Sequence, residues 1–222
     1  MKGQRFNPDH LPRMIALLKK RIRQWPEPIV GVVAKQREPF HVLIATILSL
    51  RTKDRTTAEA SARLFALADT PAAMLRLPER TIAEAIYPVG FYRTKARAIR
   101  AICRQLLARY GGNVPDELEE LLTLPGVGRK TANLVVTLAF GRPGICVDTH
   151  VHRISNRWGY VRTKTPEETE MALRAKLPRR YWIIFNDLLV AYGQNLCAPV
   201  SPWCSRCELA SMCRRVGVTS TR

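Results

Sequence analysis

The chain has 222 residues, of which 46% are hydrophobic and 24% are charged, a balance that excludes a disordered polypeptide. Its 36 lysines and arginines against 18 aspartates and glutamates give a net charge of +18, which favours nucleic acid over an anionic membrane as partner. No apolar run approaches the roughly 20 residues of a membrane helix, and charged residues interrupt the N-terminus where a signal peptide needs an apolar stretch. We therefore expect a cytoplasmic, nucleoid-associated protein of prokaryotic type.

The first half of the chain has a series of helical patterns. The predicted helix at 8–24 carries an apolar stripe, and Trp25-Pro26-Glu27-Pro28 ends it. Residues 39–50 are apolar on all sides, as in a buried helix. Asp54 is predicted to cap a helix that reaches Leu67.

The later helices are marked by their ends. Thr70-Pro71 and Thr165-Pro166 each combine a good N-cap with proline at the first helical position, and Thr165 also forms a capping box with Glu168. The remaining helices are predicted at 94–110, which Gly111-Gly112 stops, and at 116–123, 129–140, 149–158 and 180–195. No run alternates like a strand, so the predicted class is all-α, with an irregular C-terminal cysteine segment.

A glycine-containing turn separates two of these predicted helices. The turn reads Leu124-Pro125-Gly126-Val127-Gly128 and is followed directly by Arg129. Its glycines let the backbone take positive φ and approach a ligand closely, and the free N–H groups of the next helix attract phosphate. A plain turn in a helical bundle is the alternative, but this sequence between amphipathic helices favours a grip on the DNA backbone without base readout.

Lys130 lies in the first turn after this hairpin. Most surface lysines are only solvated, but a cation at the positive end of a helix dipole is disfavoured, and partial burial adds to this. A neutral amine can attack an electrophilic carbon and form a Schiff base. Asp148, in Val147-Asp148-Thr149-His150, is either the cap of the next helix or a carboxylate that takes up a proton or stabilises positive charge on a sugar.

Four of the six cysteines crowd near the C-terminus in the pattern C-x6-C-x2-C-x5-C, as Cys197, Cys204, Cys207 and Cys213. In a cytoplasmic chain such a group favours a metal over disulfides. Structural zinc is one interpretation, but the single C-x2-C and the uneven spacing favour an iron–sulfur cluster. Cys103 and Cys146 lie in apolar contexts and are predicted to be buried thiols.

Taken together, these motifs resemble the endonuclease III family of DNA glycosylases, in the helix-hairpin-helix superfamily. The resemblance runs from about Pro39 to Cys213 and adds two motifs to those above. They are Ile47-Leu48-Ser49 with Asp54, and Gly90-Phe91-Tyr92 with Lys95. It implies two helical lobes flanking a DNA-binding cleft, namely a six-helix bundle at 32–142 and a discontinuous lobe at 1–31 and 143–222. The four cysteines would bind a mainly structural [4Fe–4S] cluster.

The resemblance also implies the chemistry of a monomeric DNA glycosylase and abasic-site lyase. Lys130 would attack C1′ of a flipped nucleotide, expel an oxidised pyrimidine and nick the strand by β-elimination, with Asp148 assisting both steps. The implied contacts to damaged duplex DNA are Arg51, Phe91, Tyr92, Lys95, Gly126, Gly128, Arg129 and His150.

Two residues depart from the family's pattern. Arg51 stands where the family often has a glutamine that fills the gap left by the flipped base, so the preference for the opposite base is open. Phe91 stands at the position of an apolar wedge, often leucine, although packing in the core is an equal alternative.

Two other functions remain open. One is a mismatch glycosylase of the same superfamily, acting on thymine or uracil opposite guanine, or on adenine. Such relatives generally lack a lysine at the position of Lys130. The other is a non-catalytic DNA-binding module that contains zinc.

Overall fold

The computed structural model describes residues 6–25, 30 and 38–222. These residues are helical and contain no strand, which confirms the predicted all-α class. The chain divides into two compact units: residues up to 28 with Ile145–Arg222, and Ile29–Gly144. The predicted division at 31/32 lies outside the described residues, and the one at 142/143 lies close to the observed boundary.

The helices of the first unit lie at its N-terminus and after Ile145. Helix α1 packs against α11, and α9 packs against both α10 and α11. Their apolar faces form one core, which includes Met14, Leu18, Ile154, Phe185 and Tyr192. The four helices are α1 (His10–Ile22), α9 (Thr149–Trp158), α10 (Pro166–Lys176) and α11 (Trp182–Asn195).

The second unit contains the helical hairpin. Its central helix, α2, packs against α3 and α8, and eight of its eleven residues are buried, as expected for a helix that is apolar on all sides. Helix α6 packs against α4 and α5. In chain order these helices are α2 (Pro39–Ser49), α3 (Asp54–Leu67), α4 (Pro71–Arg76), α5 (Glu79–Ile86), α6 (Tyr92–Tyr110), α7 (Leu118–Leu122) and α8 (Arg129–Leu138).

Most of the predicted helix ends are confirmed. The side chains of Thr70 and Thr165 accept hydrogen bonds from the N–H groups three residues later, and α6 ends at Gly111, whose φ is +59°. The cap prediction for Asp54 is wrong, because Lys53 precedes the helix and Asp54 is already helical. As the first helical residue, its carboxylate still lies at the favourable end of the helix dipole.

One helix was not expected from the sequence, and one predicted helix stop lies largely outside the described residues. Helix α5 was not predicted, because it has eight residues, no side-chain cap and a proline immediately before it. Of the predicted stop at 25–28, only Trp25 lies among the described residues, and its ring packs edge-on against Tyr192.

None of the described helices is long and apolar enough to span a membrane.

Candidate functional site

The hairpin between α7 and α8 has the backbone that its sequence predicts. Gly126 has a φ of +75°, and the N–H of Val127 donates to the carbonyl of Leu124 at 3.1 Å. Leu124 and Val127 are buried, whereas Gly126 and Gly128 are exposed. A Cβ at Gly128 would meet no atom within 4 Å, so the backbone there is open to a ligand. This turn therefore offers main-chain groups at the surface rather than side chains.

Arg129 and Lys130 are the first two residues of α8, directly after this open glycine. Both side chains are partly exposed. The first turn of α8 contains no acidic residue of its own. Lys130 thus has the predicted position at a helix N-terminus, and its role as nucleophile stays a prediction.

Asp148 is the N-cap of α9, as one of its two interpretations predicted. Its Oδ1 accepts hydrogen bonds from the backbone N–H groups of His150 and Val151, both at 2.9 Å. The side chain is half-buried and lies near Arg153. Burial lowers the pKa of Arg153, and the negative charge of Asp148 partly opposes this effect. Both cap bonds end on the same oxygen, so Oδ2 lies outside the cap.

The first turn of α9 is packed tightly against α11. A Cβ at Gly193, in the last turn of α11, would collide with Nδ1 of His150 and would lie 3.0 Å from Nη2 of Arg153. That same Arg153 nitrogen lies 3.1 Å from Nδ1 of His150 and donates to the carbonyl of Gly193 at 3.3 Å. His150 is therefore held against α11, and its predicted contact with DNA stays a prediction.

Arg51 and Phe91 come from different loops of the second unit but lie side by side. Both have left-handed backbones, with φ of +54° and +59°. The guanidinium carbon of Arg51 lies 5.6 Å from the ring centroid of Phe91, within cation–π range. Phe91 is 62% exposed, so the interpretation of this residue as core packing is wrong.

The prediction that Lys95 contacts DNA needs correction. Its side chain is buried, and Nζ donates to the carbonyls of Leu48 and Leu50 at 2.9 and 2.6 Å and to Oγ1 of Thr52 at 3.3 Å. Burial lowers the pKa of this amine to about 8. Its donors are thus directed at the end of α2 and away from solvent, so the structure offers no support for the predicted contact.

Tyr92 is partly exposed at the start of α6. Its ring packs edge-on against exposed Tyr87, with centroids 5.4 Å apart, and the guanidinium of Arg93 lies over it at 5.5 Å. Tyr92 thus forms a cluster with Tyr87 and Arg93 directly after Phe91 in the sequence. Whether Tyr92 touches DNA stays a prediction.

The four C-terminal cysteines line a single cavity, whose other walls include Trp158, Leu196 and Trp203. Burial raises the pKa of Cys213 to about 11 and raises that of Cys207 as well, and each neighbouring thiol adds to the effect. No group of three or more His, Cys, Asp or Glu side chains in the described part of the chain forms a ready-made metal site. The donor set is nevertheless all sulfur, which suits a thiolate-bound metal centre.

Two side chains that also line this cavity approach the sulfurs within hydrogen-bond distance. Nη1 of Arg157 donates to Sγ of Cys197 at 3.3 Å, and the hydroxyl of Tyr192 lies 3.1 Å from Sγ of Cys207. The buried guanidinium of Arg157 also donates to the carbonyls of Ala198 and Pro199 at 2.7 and 2.6 Å. These donors would orient thiolates and stabilise their charge.

Sequence reasoning missed Arg153 and Arg157, which lie one turn apart on α9 and both bind the backbone at Cys197. Their spacing in the sequence is the only signal, and it does not reveal that Arg157 is buried. The other two cysteines, Cys103 and Cys146, are buried as predicted, and burial raises the pKa of Cys103 to about 12.

This chain is similar to known DNA repair proteins. Residues 44–179 match the HhH-GPD superfamily of base excision DNA repair proteins. Endonuclease III of Thermotoga maritima is 49% identical over 179 residues, which cover 81% of this chain and 84% of that protein.

Two solved structures share the fold. A trapped covalent intermediate of endonuclease III with DNA, an estranged-adenine complex, has a TM-score of 0.84 at 36% identity and covers 94% of this chain and 96% of its own. A thermostable thymine-DNA glycosylase has a TM-score of 0.72 at 26% identity, with coverage of 88% and 94%. The similarity is thus greater to the endonuclease III complex than to the thymine-DNA glycosylase.

Proposed function

This chain belongs to the endonuclease III family, within the HhH-GPD superfamily of base excision DNA repair proteins, and from that premise we propose that it acts as a monomer that removes oxidised pyrimidines from duplex DNA. It is a DNA glycosylase and abasic-site lyase. The proposed residues are Lys130 as nucleophile and Asp148 as its acid–base partner.

The proposed reaction begins with the neutral amine of Lys130 attacking C1′ of a flipped nucleotide. The bond between C1′ and the base breaks, and its electron pair leaves with the base, which takes up a proton. Ring opening protonates O4′ and leaves a Schiff base between Nζ and C1′. Removal of a C2′ proton then breaks the C3′–O bond, the 3′ phosphate leaves, and the strand is nicked.

For Asp148 the cap geometry supports two roles at once. Oδ1 accepts two backbone hydrogen bonds, so the carboxylate has one fixed orientation. The remaining oxygen is available to accept a proton from the amine or to stabilise positive charge on the sugar. A good N-cap and a catalytic carboxylate are therefore compatible at this position.

DNA contact in this proposal comes from two surfaces of the second unit. The exposed glycines of the hairpin, followed by Arg129, bind backbone phosphate through main-chain groups. The exposed pair Arg51 and Phe91 enters the base stack, Phe91 as the wedge and Arg51 as the side chain that fills the vacated space.

The four cysteines would hold a [4Fe–4S] cluster, whose contribution is to fix the irregular loop that carries them. Arg157 and Tyr192 would donate hydrogen bonds to its thiolates. We expect a yellow-brown protein with broad visible absorbance that contains iron and acid-labile sulfide. A colourless protein with one zinc ion would instead support the zinc-containing module.

One observation carries the assignment of the nucleophile. Lys130 follows the open glycine of the hairpin, in a chain whose fold matches a trapped covalent complex with DNA. Borohydride should trap a covalent complex between the native protein and abasic-site DNA, and Lys130→Ala should abolish it. Lys164→Ala, at an exposed lysine, is the matched control and should trap normally. Unchanged trapping by Lys130→Ala would remove the proposed nucleophile.

The substrate class requires a separate assay. Duplexes with thymine glycol, other oxidised pyrimidines, thymine opposite guanine, and abasic sites should be scored separately for base release and strand cutting. We expect release with cutting on the oxidised pyrimidines. Release of thymine opposite guanine without cutting would favour the mismatch enzyme.

A further inference from the structure

The backbone at Arg51 and Phe91 is strained. In the described part of the chain only four residues other than glycine have positive φ, and these two lie in contact with each other. The left-handed region is sterically unfavourable for a residue with a side chain, so this conformation persists only where neighbouring groups impose it. The groups responsible can be identified from the hydrogen bonds of the two loops.

A small network joins the loop of Arg51 to the loop of Phe91. Oγ1 of Thr52 accepts a hydrogen bond from the N–H of Gly90 at 3.2 Å, and the carbonyl of Arg51 would lie only 2.7 Å from a Cβ at Gly90. The two loops therefore touch through backbone, and glycine is required at position 90 for this approach.

Lys95 is the centre of this network. Its Nζ donates to Leu48 and Leu50 on one side of Arg51 and to Thr52 on the other, while its own helix begins directly after Phe91. The positive charge also lies at the C-terminal end of α2, where the helix dipole stabilises a cation. One buried side chain thus anchors both loops to α6.

We propose that Lys95 is a positioning residue that fixes Arg51 and Phe91 as one rigid wedge for entry into the DNA base stack. This inference rests on the proposed function, because the wedge has a role only if a nucleotide is flipped from a duplex. Lys95 itself does not touch DNA. It acts by keeping the two exposed side chains stacked and correctly directed.

The decisive comparison uses two substrates for the same variant. Lys95→Met keeps the length and burial of the side chain but removes all three donors. On an abasic site within a fully paired duplex, kcat/KM should fall by about tenfold to a hundredfold, the effect expected of a misplaced wedge. On the same abasic site in single-stranded DNA, which needs no wedge, the variant should stay close to the native protein. Equal losses on both substrates, or no loss on either, would overturn the proposal.

A second pair of variants covers the case in which Lys95→Met fails to fold. Thr52→Val removes the hydroxyl that joins Gly90 to Lys95, whereas Thr52→Ser retains it. We expect the valine variant to lose activity selectively on the paired duplex and the serine variant to behave as native. A valine variant with native activity on both substrates would refute the network.

A fluorescent base placed opposite the lesion adds a measurement that does not depend on the overall stability of the protein, namely the fluorescence of that base. 2-Aminopurine should brighten when the native protein unstacks it and should brighten less with Lys95→Met at saturating protein. Native brightening by a folded Lys95→Met variant would overturn the role of Lys95. If the native protein forms no trapped complex with any abasic DNA, the proposed function fails instead, so the two failures are distinguishable.

Discussion

Replacement of Asp148 separates its structural role from its catalytic role, because different side chains retain different parts of it. Asparagine keeps the shape and an oxygen acceptor, serine keeps only a capping acceptor, and alanine keeps neither. All three lack the carboxylate. Stability and activity should therefore change in different orders across Asp148→Asn, Asp148→Ser and Asp148→Ala.

The magnitudes follow from the two hydrogen bonds that Oδ1 accepts at 2.9 Å. Loss of the cap in Asp148→Ala should cost about 0.5–2 kcal/mol, and each kcal/mol lowers the Tm of a chain of this size by roughly 2–4 °C. The other two variants keep a cap and lose mainly the charge at the helix N-terminus, about 0.3–1 kcal/mol. Loss of a positioned acid–base group costs about 10²–10⁴ in rate, so base release should slow by at least about a hundredfold in all three variants.

The assay combines single-turnover base release from a lesion duplex with thermal melts and DNA binding by fluorescence anisotropy. Binding should stay within about threefold of native, which is less than 1 kcal/mol. If base release instead follows Tm, so that the asparagine and serine variants remain nearly active, then Asp148 is only a helix cap and the proposed catalytic role is refuted.

Three further predictions test the second unit. Arg51→Gln should shift the preference for the base opposite the lesion from guanine towards adenine. The reason is that arginine offers only hydrogen-bond donors to this base, whereas glutamine pairs with adenine. An unchanged preference, measured as the rate on duplexes with guanine or adenine opposite the lesion, would show that Arg51 does not read that base. Gly126→Ala should destabilise the protein by roughly 1–2 kcal/mol because of the positive φ at this residue. Gly128→Ala should leave the Tm unchanged and weaken DNA binding. The reverse pattern would contradict the proposed binding of phosphate by the hairpin backbone. The unfolding free energy of the native protein relative to Lys95→Met should rise from pH 8 to about 10.5. In this range Lys95 is protonated in the unfolded chain but has lost its proton in the folded protein, because burial lowers its pKa to about 8. A difference in unfolding free energy that does not change with pH would refute the lowered pKa.

The elements best predicted from the sequence are those whose ends carry a chemical signal. Helix α9 begins after Asp148 and ends before Gly159, whose φ is +75°, and its predicted bounds are confirmed. Thr70 and Thr165 cap their helices for the same reason, since a short oxygen-bearing side chain satisfies free N–H groups. The hairpin was equally predictable from Gly126, because few other residues adopt its backbone.

The features that sequence reasoning missed depend on contacts between distant segments. Lysine side chains usually lie at the surface, and nothing in the local sequence distinguishes Lys95 from such a residue. It becomes a buried hydrogen-bond donor only because residues 48–52 pack against it. Arg157 is likewise buried by a segment some forty residues away. The exposure of Phe91 was left open, because an aromatic residue after glycine fits both a core and a surface.

Glycine within a helix costs up to about 1 kcal/mol relative to alanine, and α11 has a glycine, Gly193, in its last turn. In return, the imidazole of His150 occupies the space that a methyl group would fill, and the N–H of this same residue binds the carboxylate of Asp148 at the start of α9. Any larger residue at this position must push the ring aside or separate the two helices. The orientation of the carboxylate is thus governed partly by a residue with no side chain, placed on a different helix and remote in the sequence.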